Sequence, residues 1–455
     1  MRAPQQKLLS GVLGIWLAFV AIAAGAADTN VLVWHKTADR VDADIHGEPL
    51  WPLLETIARQ TGWRIYVEPG TTRNTSAKFQ GLPPDGALRM LLGDLNFALV
   101  PQTNAPAHLY IFRTLRQNAT RLVRATNTPA KHVPNELLVK LKPGADIDAL
   151  AKLLGAKVVG RMDKLGIYRL QFADATATDI ALGKLQSDSD VADVDYNYYL
   201  DPPPPIQSLA SGSAPPLNLQ LNPPPDSGKI IVGLIDTSVQ SLGPDLDKFI
   251  LKQLSDAGDA PSGTDIRHGT AMAYTILQAI ALASGGNSSV QIQPVDVYGA
   301  GDATTTWDVA YGIPLAINNG ANILNLSLSG PADSTILDDV IKSAVNDGIM
   351  IFAAPGNQPI STPTYPAAIP GVIPVTALGQ PGQLAPYANY WPDPSMIAMP
   401  GNGYVPFGSL TYFIQGTSVS TASATGVAAG NADANHMTWP QIQKAMQQKF
   451  AVPQK

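Results

Sequence analysis

The second half of the sequence predicts an α/β domain whose parallel sheet is covered by helices on both faces, and two small α+β domains precede it. Two observations carry the first prediction. From Lys229 onward, apolar runs at 230–235, 292–297, 323–328, 349–354 and 372–377 read as short strands, and helical stretches of about 10–18 residues separate most of them. Strands that are apolar along their whole length are buried on both faces, the condition of a parallel sheet with helices above and below. A third observation sets residues 29–115 apart: their strand-like segments alternate apolar and polar, as strands with one wet face do.

The elements follow in chain order. Arg2 and Lys7 precede an apolar run from Leu8 to about Ala24, and Ala24-Gly25-Ala26 follows. A basic start, an apolar middle and a small-x-small end make residues 1–27 a signal peptide. Left uncleaved, the run approaches membrane-spanning length and would retain the chain at the membrane. In both cases the remainder is exported, to the periplasm or the medium. The chain carries 30 basic and 36 acidic side chains, a net charge of −6, which argues against nucleic acid as a partner. Cysteine is absent, which excludes disulfides, thiolate metal sites and a cysteine nucleophile.

Residues 29–115 begin with strand-like Val31-Leu32-Val33-Trp34 and Val41 to Ile45. Leu50 to Gln60 is an amphipathic helix, with Leu50, Leu53, Leu54, Ile57 and Ala58 on one face, and Thr61-Gly62 ends it. Trp63 to Val67 alternates again, a second helix spans about Asp85 to Leu92, and Leu109 to Phe112 closes the unit. In the placing of Pro49-Leu50, Gly62-Trp63 and Ala87-Leu88 to Leu91-Leu92, this segment resembles the short N-terminal domain of secretins and TonB-dependent receptors. The resemblance implies a periplasmic module on which an envelope protein docks.

Residues 130–200 give strands at Glu136 to Leu141, Val158-Val159, Ile167 to Phe172 and Val191 to Tyr199. Helices run from an Asp146 cap to Leu154 and from Thr176 to Leu185. The order is βαββαβ, a small ferredoxin-like open sheet. The phrases VPNELLVKLKPG and VADVDYNYYL resemble the N-terminal prodomain of subtilisin-like proteases, which implies a folding aid and inhibitor. Residues 201–228 hold Pro202 to Pro205, Pro215-Pro216 and Pro223 to Pro225, and predict an extended, semi-rigid linker.

Within 229–455 the chemistry concentrates at strand ends and helix starts, where open parallel sheets place their sites. Asp236 ends the first strand in IIVGLIDTS, and His268 opens an apolar helix, to about Ala283, in RHGTAMAY. Asn357 follows a strand in IFAAPGN, and Ser418 opens a small-residue helix in QGTSVSTASATG. His268 and His436 are the region's two histidines, so a catalytic base has few candidates. A serine hydroxyl attacks a carbonyl only when a base takes its proton, which suits His268. A buried carboxylate, Asp236, would hold the imidazole in one tautomer and balance its charge. The resulting oxyanion would accept hydrogen bonds from the Asn357 side chain and the Ser418 backbone N–H, with the helix dipole adding to them.

The order Asp…His…Ser is that of subtilisins. With IDTS, HGT, AAPGN and GTSVS, the region resembles a subtilisin-family catalytic domain over about 225 residues. The resemblance implies peptide-bond hydrolysis of protein or peptide substrates through an acyl-enzyme, with no cofactor. It also implies that NLSLSGP lines the cleft, so that Leu326, Ser327, Leu328, Ser329 and Gly330 pair with the substrate backbone. No Asp-rich loop marks a calcium site, and no metal is expected. Three places depart from the family pattern. Ser238 stands for a Gly; Ala271 to Tyr274 stand where a second His and a Gly are usual; Ala422-Ser423 stand for Pro-His. The alternative they leave is an inactive protease fold that serves as a binding or regulatory module of the cell envelope.

Overall fold

In a computed structural model of the chain, the residues described are 30–35, 40–68, 71, 73–102, 105–119, 121–123, 130–209, 217–222, 229–255, 265–301, 303–380 and 382–453. The expected signal peptide lies outside them, as do Pro215-Pro216 and Pro223 to Pro225. No helix among the described residues is long and apolar enough to cross a membrane. The chain divides into two compact units, 1–127 and 128–455.

The first unit carries both expected helices, Leu50–Thr61 and Pro84–Leu92, each burying its apolar face. Leu53, Leu54, Ile57, Leu88, Leu91 and Leu92 are fully buried in one core. Two strands went unread in the sequence, Asn74–Leu82 and Asn96–Gln102. The first is mostly polar and half exposed, so it offers little periodic signal. Arg121–Val123, beyond residue 115, pairs antiparallel with Arg64–Val67 and extends that sheet.

Among the described residues of the second unit, the main sheet has seven strands. They lie in the order Leu254–Ser255, Gln291–Asp296, Ile231–Asp236, Ile323–Leu326, Met350–Ala353, Val372–Leu378, Ile397–Pro400, and every adjacent pair is parallel. From Ile231–Asp236 the chain goes to the edge strand Leu254–Ser255, returns to Gln291–Asp296 beside its start, then crosses to Ile323–Leu326 and continues outward on that side. That reversal opens a crevice at the carboxyl ends of the strands. The apolar runs divide by parity. Val232, Leu234, Ile323, Phe352, Ile373 and Val375 face the helices His268–Ser284 and Thr417–Asn435. Ile231, Ile235, Leu324, Leu326, Ile351 and Ala353 face the helices Thr306–Asn318 and Thr335–Asn346. The two outer strands at Leu254–Ser255 and Ile397–Pro400 are too short to stand out as apolar runs.

The helices that open with His268 and Ser418 pack closely together. A Cβ on Gly426 would lie 2.4 Å from the Ile276 carbonyl oxygen and 2.6 Å from Ala279 Cβ, so the small residues after Ser418 let the two helices nearly touch. We therefore expect Gly426→Val to destabilise the unit by about 1–3 kcal/mol or more, the cost of overpacking a core that cannot give. Equilibrium unfolding in denaturant measures it, and an unchanged midpoint would show that the helices are free to part.

The βαββαβ segment forms a four-stranded antiparallel sheet in the order Val191–Tyr198, His132–Leu141, Ile167–Gln171, Lys157–Met162. Its helices are Ile147–Leu154, capped by the Asp146 side chain, and Ala175–Leu185. Leu137, Val139 and Leu170 point into the core under these helices. On the other face Leu138, Met162 and Ile167 join the core beneath Thr306–Asn318 and Thr335–Asn346. Gly160 lies against the Trp307 ring, where a Cβ would come within 2.4 Å of Cζ2. The Trp307 backbone N–H donates to Asn197 Oδ1 at 3.0 Å, and Lys140 Nζ meets Asp339 Oδ2 at 2.7 Å.

The linker is less free than its composition suggests. Gln207–Leu209 pairs antiparallel with Leu410–Gln415, and Gln220–Leu221 pairs in parallel with Asn287–Ser288. Proline removes donors only where it stands, so the residues between prolines remain able to join a sheet edge.

Candidate active site

Asp236 ends its strand at the crevice and is 2% exposed. Its Oδ1 accepts the Thr237 N–H at 2.7 Å. His268 is the first residue of its helix, and its Nδ1 lies 2.8 Å from Asp236 Oδ1 and 3.0 Å from Oδ2. This approach depends on Gly269, whose Cβ would sit 2.0 Å from the Thr237 carbonyl oxygen. The Gly269 N–H instead donates to Thr237 Oγ1 at 2.7 Å, which ties the helix start to the strand end. Ser238, in place of a glycine, has its own use, since its hydroxyl accepts from the Arg267 guanidinium. Ala271 and Ala422 are fully buried between helices, so those departures affect packing and remove no group from the crevice.

Ser418 is the second residue of its helix and is 3% exposed. Its Oγ donates to the Ser327 carbonyl oxygen at 3.1 Å, while Ser327 Oγ donates to the Ser418 carbonyl at 3.1 Å. Asn325 Nδ2 donates to Ser327 Oγ at 2.8 Å, and Thr425 Oγ1 donates to Asn325 Oδ1 at 3.0 Å. No hydrogen bond joins Ser418 to His268, whose Nε2 is buried without a partner among the described residues. Asn357 Oδ1 accepts the Thr417 N–H at 2.9 Å, which commits the oxygen and leaves Nδ2 as the outward donor. The loop before it is braced by Asn389, which donates to the Pro355 carbonyl at 2.7 Å and accepts the Gln358 N–H at 2.8 Å.

Of the expected substrate segment, Leu326, Ser327, Leu328 and Ser329 are buried and Gly330 exchanges two backbone hydrogen bonds with Tyr365. A stretch of the chain itself runs along it. The Asp201 N–H donates to the Ser329 carbonyl at 2.8 Å, and the Leu200 N–H donates to the Thr304 carbonyl at 3.0 Å. Thr304, Thr417 and Asn389 were missed in the sequence. Thr417 could have been found from its place between Gly416 and Ser418; the other two lie in loops with no local pattern.

Two carboxyls near the crevice are shifted. Burial pushes Asp296, the neighbour of Asp236 across the strands, above the usual carboxylate range, and the charge of Asp236 adds to this. The Gly299 and Tyr298 N–H groups and Arg267 oppose it. Burial also raises Asp201, against the hydrogen bond from Gln358.

A buried His–Asp pair, a serine at a helix start and a crevice at a sheet reversal define the class as a subtilisin-like serine protease fold. Comparison with known proteins agrees. The profile of the Subtilase family matches residues 227–453, and that of the Fervidolysin N-terminal prodomain matches residues 118–197. Subtilisin E of Bacillus subtilis (strain 168) is 30% identical over 303 residues, 62% of this chain and 76% of its own. M-protease of Shouchella clausii (strain KSM-K16) is 32% identical over 202 residues, 44% of this chain and 52% of its own. Among solved structures, fervidolysin from Fervidobacterium pennivorans aligns with a TM-score of 0.55 at 20% identity, covering 71% of this chain and 58% of that one. The epidermin leader peptide processing serine protease of Staphylococcus aureus gives 0.50 at 17%, covering 70% and 92%. The last two show likeness of fold. The chain belongs to the subtilase family of serine endopeptidases and carries a fervidolysin-like prodomain.

Proposed function

We propose that the chain cleaves protein or peptide substrates with Asp236, His268 and Ser418 as its triad and Asn357 as an oxyanion donor. The observation that carries the reading is the buried bond between His268 Nδ1 and Asp236. It fixes the tautomer in which Nε2 is the basic nitrogen, turned away from the carboxylate. Ser418 Oγ then attacks the substrate carbonyl carbon while Nε2 takes its proton. Asn357 Nδ2 and the Ser418 N–H stabilise the oxyanion. Collapse breaks the C–N bond, His268 returns the proton to the leaving nitrogen, and water releases the acyl group by the same steps in reverse. A fluorophosphonate followed by peptide mapping tests this: a triad gives one adduct, on Ser418. The label is applied to the chain freed of its prodomain, and a folded chain of that kind left unlabelled would mean an inactive binding module.

The proposed domains are a signal peptide at 1–27, a docking module at 29–115, an inhibitory prodomain at 130–200, a linker at 201–228 and the peptidase at 229–455. Export rests on the basic and apolar start. Docking rests on the helix and strand pattern of the first unit; deleting 29–115 should leave peptide hydrolysis unchanged while altering where the protein is retained.

The inhibitory role rests on the sheet packed against Trp307. Gly160→Val would push a side chain into that ring and loosen the prodomain. The intact chain should then hydrolyse an added peptide faster, by about tenfold for each 1.4 kcal/mol of docking lost. An unchanged rate, with the variant folded, would count against inhibition through this interface.

A further inference from the structure

The chain that leaves the prodomain crosses the site between two anchors. On one side Tyr199 bridges Thr305 in antiparallel fashion, and the Leu200 and Asp201 N–H groups donate to Thr304 and Ser329. On the other side Gln207–Leu209 pairs antiparallel with Leu410–Gln415, the strand that leads into Gly416 and Ser418. Pro202 to Pro205 span the gap. A Cβ on Gly416 would meet the Asn357 amide at 3.3 Å and Pro204 Cγ at 3.4 Å, so the Pro204 ring lies beside the proposed oxyanion donor.

The register identifies the bond at the reacting position. Asp201 sits opposite Ser329, so two residues on, in antiparallel pairing, Pro203 falls opposite Ser327. A peptide residue there would donate its N–H to the Ser327 carbonyl. Proline has no N–H, and in this structure that carbonyl accepts the hydroxyl of Ser418 instead.

We propose, on the protease reading above, that the tetraproline makes this crossing strand an occupant that the enzyme cannot cut. The Pro203–Pro204 bond stands at the nucleophile, and the connection survives until it is cut outside residues 202–206. Three physical effects act together. Pro203 leaves the Ser327 carbonyl to hold the Ser418 proton away from His268. The leaving nitrogen, in Pro204, is tertiary, and its ring fills the space beside Gly416. Both rings fix φ near about −65°, short of the more open backbone of an antiparallel strand.

The test replaces both prolines, Pro203→Leu with Pro204→Ser, in the full chain. Intact mass and N-terminal sequencing follow the purified proteins with time. The unaltered chain should keep every bond from 202 to 206. The double variant should gain a new N-terminus at position 204. In that cut Ser418 Oγ bonds to the carbonyl carbon of residue 203, the C–N bond to 204 breaks, the serine proton passes through His268 to that nitrogen, and water frees the new carboxylate. Adding Ser418→Ala should abolish it. Pro204→Ser alone, which changes one ring on a partly exposed turn of chain, should give the same N-terminus more slowly. Cutting of the unaltered chain between 203 and 204 would overturn the inference. So would a double variant that stays whole yet takes a fluorophosphonate on Ser418, and in that case the protease reading stands. A double variant that stays whole overturns the inference, and both readings fall only if the chain freed of its prodomain also takes no fluorophosphonate on Ser418.

Discussion

Ser418→Ala should lower kcat for peptide hydrolysis by about 10⁶-fold while the protein keeps its fold; that is the size known for removing a triad serine in a subtilisin. The fold should persist because the hydroxyl makes one hydrogen bond, to the Ser327 carbonyl, and Ser327 keeps its own bond to the Ser418 carbonyl. Losing one such bond costs about 0.5–1.5 kcal/mol, small beside the stability of a domain this size. On the proposed triad the rate responds differently, because three groups would act as one. Without the nucleophile, the His268 base and the Asp236 carboxylate have no proton to move. His268→Ala should therefore cost nearly as much alone, and the double variant no more than either single one. Losses that multiply would mean the residues act independently, and the triad would have to be given up. The measurement needs a chain freed of its prodomain, since the crossing strand would otherwise mask the rate.

The four residues proposed for the chemistry stood out because each sits where backbone geometry repeats itself in sequence. A parallel strand buried on both faces reads as an unbroken apolar run, so the end of IIVGLID locates Asp236. A helix that must approach another closely reads as a run of small residues, so TASATG locates the helix of Ser418. His268 stood out as one of two histidines in the region and as the start of an apolar helix, and the glycine after it proves necessary, since any side chain there would strike the Thr237 carbonyl. The missed parts have no such repeat. Leu254–Ser255 is too short to show a period. Asn389 braces the Asn357 loop from 32 residues away in sequence, an arrangement known only once the loops are folded. The linker's pairing was not legible, because proline content describes what each residue lacks, while pairing at Gln207–Leu209 depends on the strand Leu410–Gln415.

Asn357→Ala should reduce kcat by about 10²–10³-fold, or about 2.7–4 kcal/mol, with little change in KM; this is the span found when a donor of this kind is removed from a subtilisin. The Thr417 N–H and hydroxyl both donate to Asn357 Oδ1, at 2.9 and 3.3 Å, so the amide is held with Nδ2 facing the crevice. A donor held in place costs no reorganisation when charge appears on the substrate oxygen. The ground-state carbonyl carries far less charge, so binding should barely register the loss, and the effect belongs in kcat. The substitution also leaves the Thr417 N–H without its acceptor, which adds about 1–3 kcal/mol of destabilisation unless water replaces it. Asn357→Asp separates the two roles. It keeps an oxygen for Thr417, and so the stability, but sets a negative charge where the oxyanion forms. It should therefore be at least as slow as the alanine variant and melt close to the unaltered chain. If instead the aspartate variant recovered activity, or if either change fell wholly on KM, Asn357 would be a substrate-binding residue and the oxyanion would need another donor.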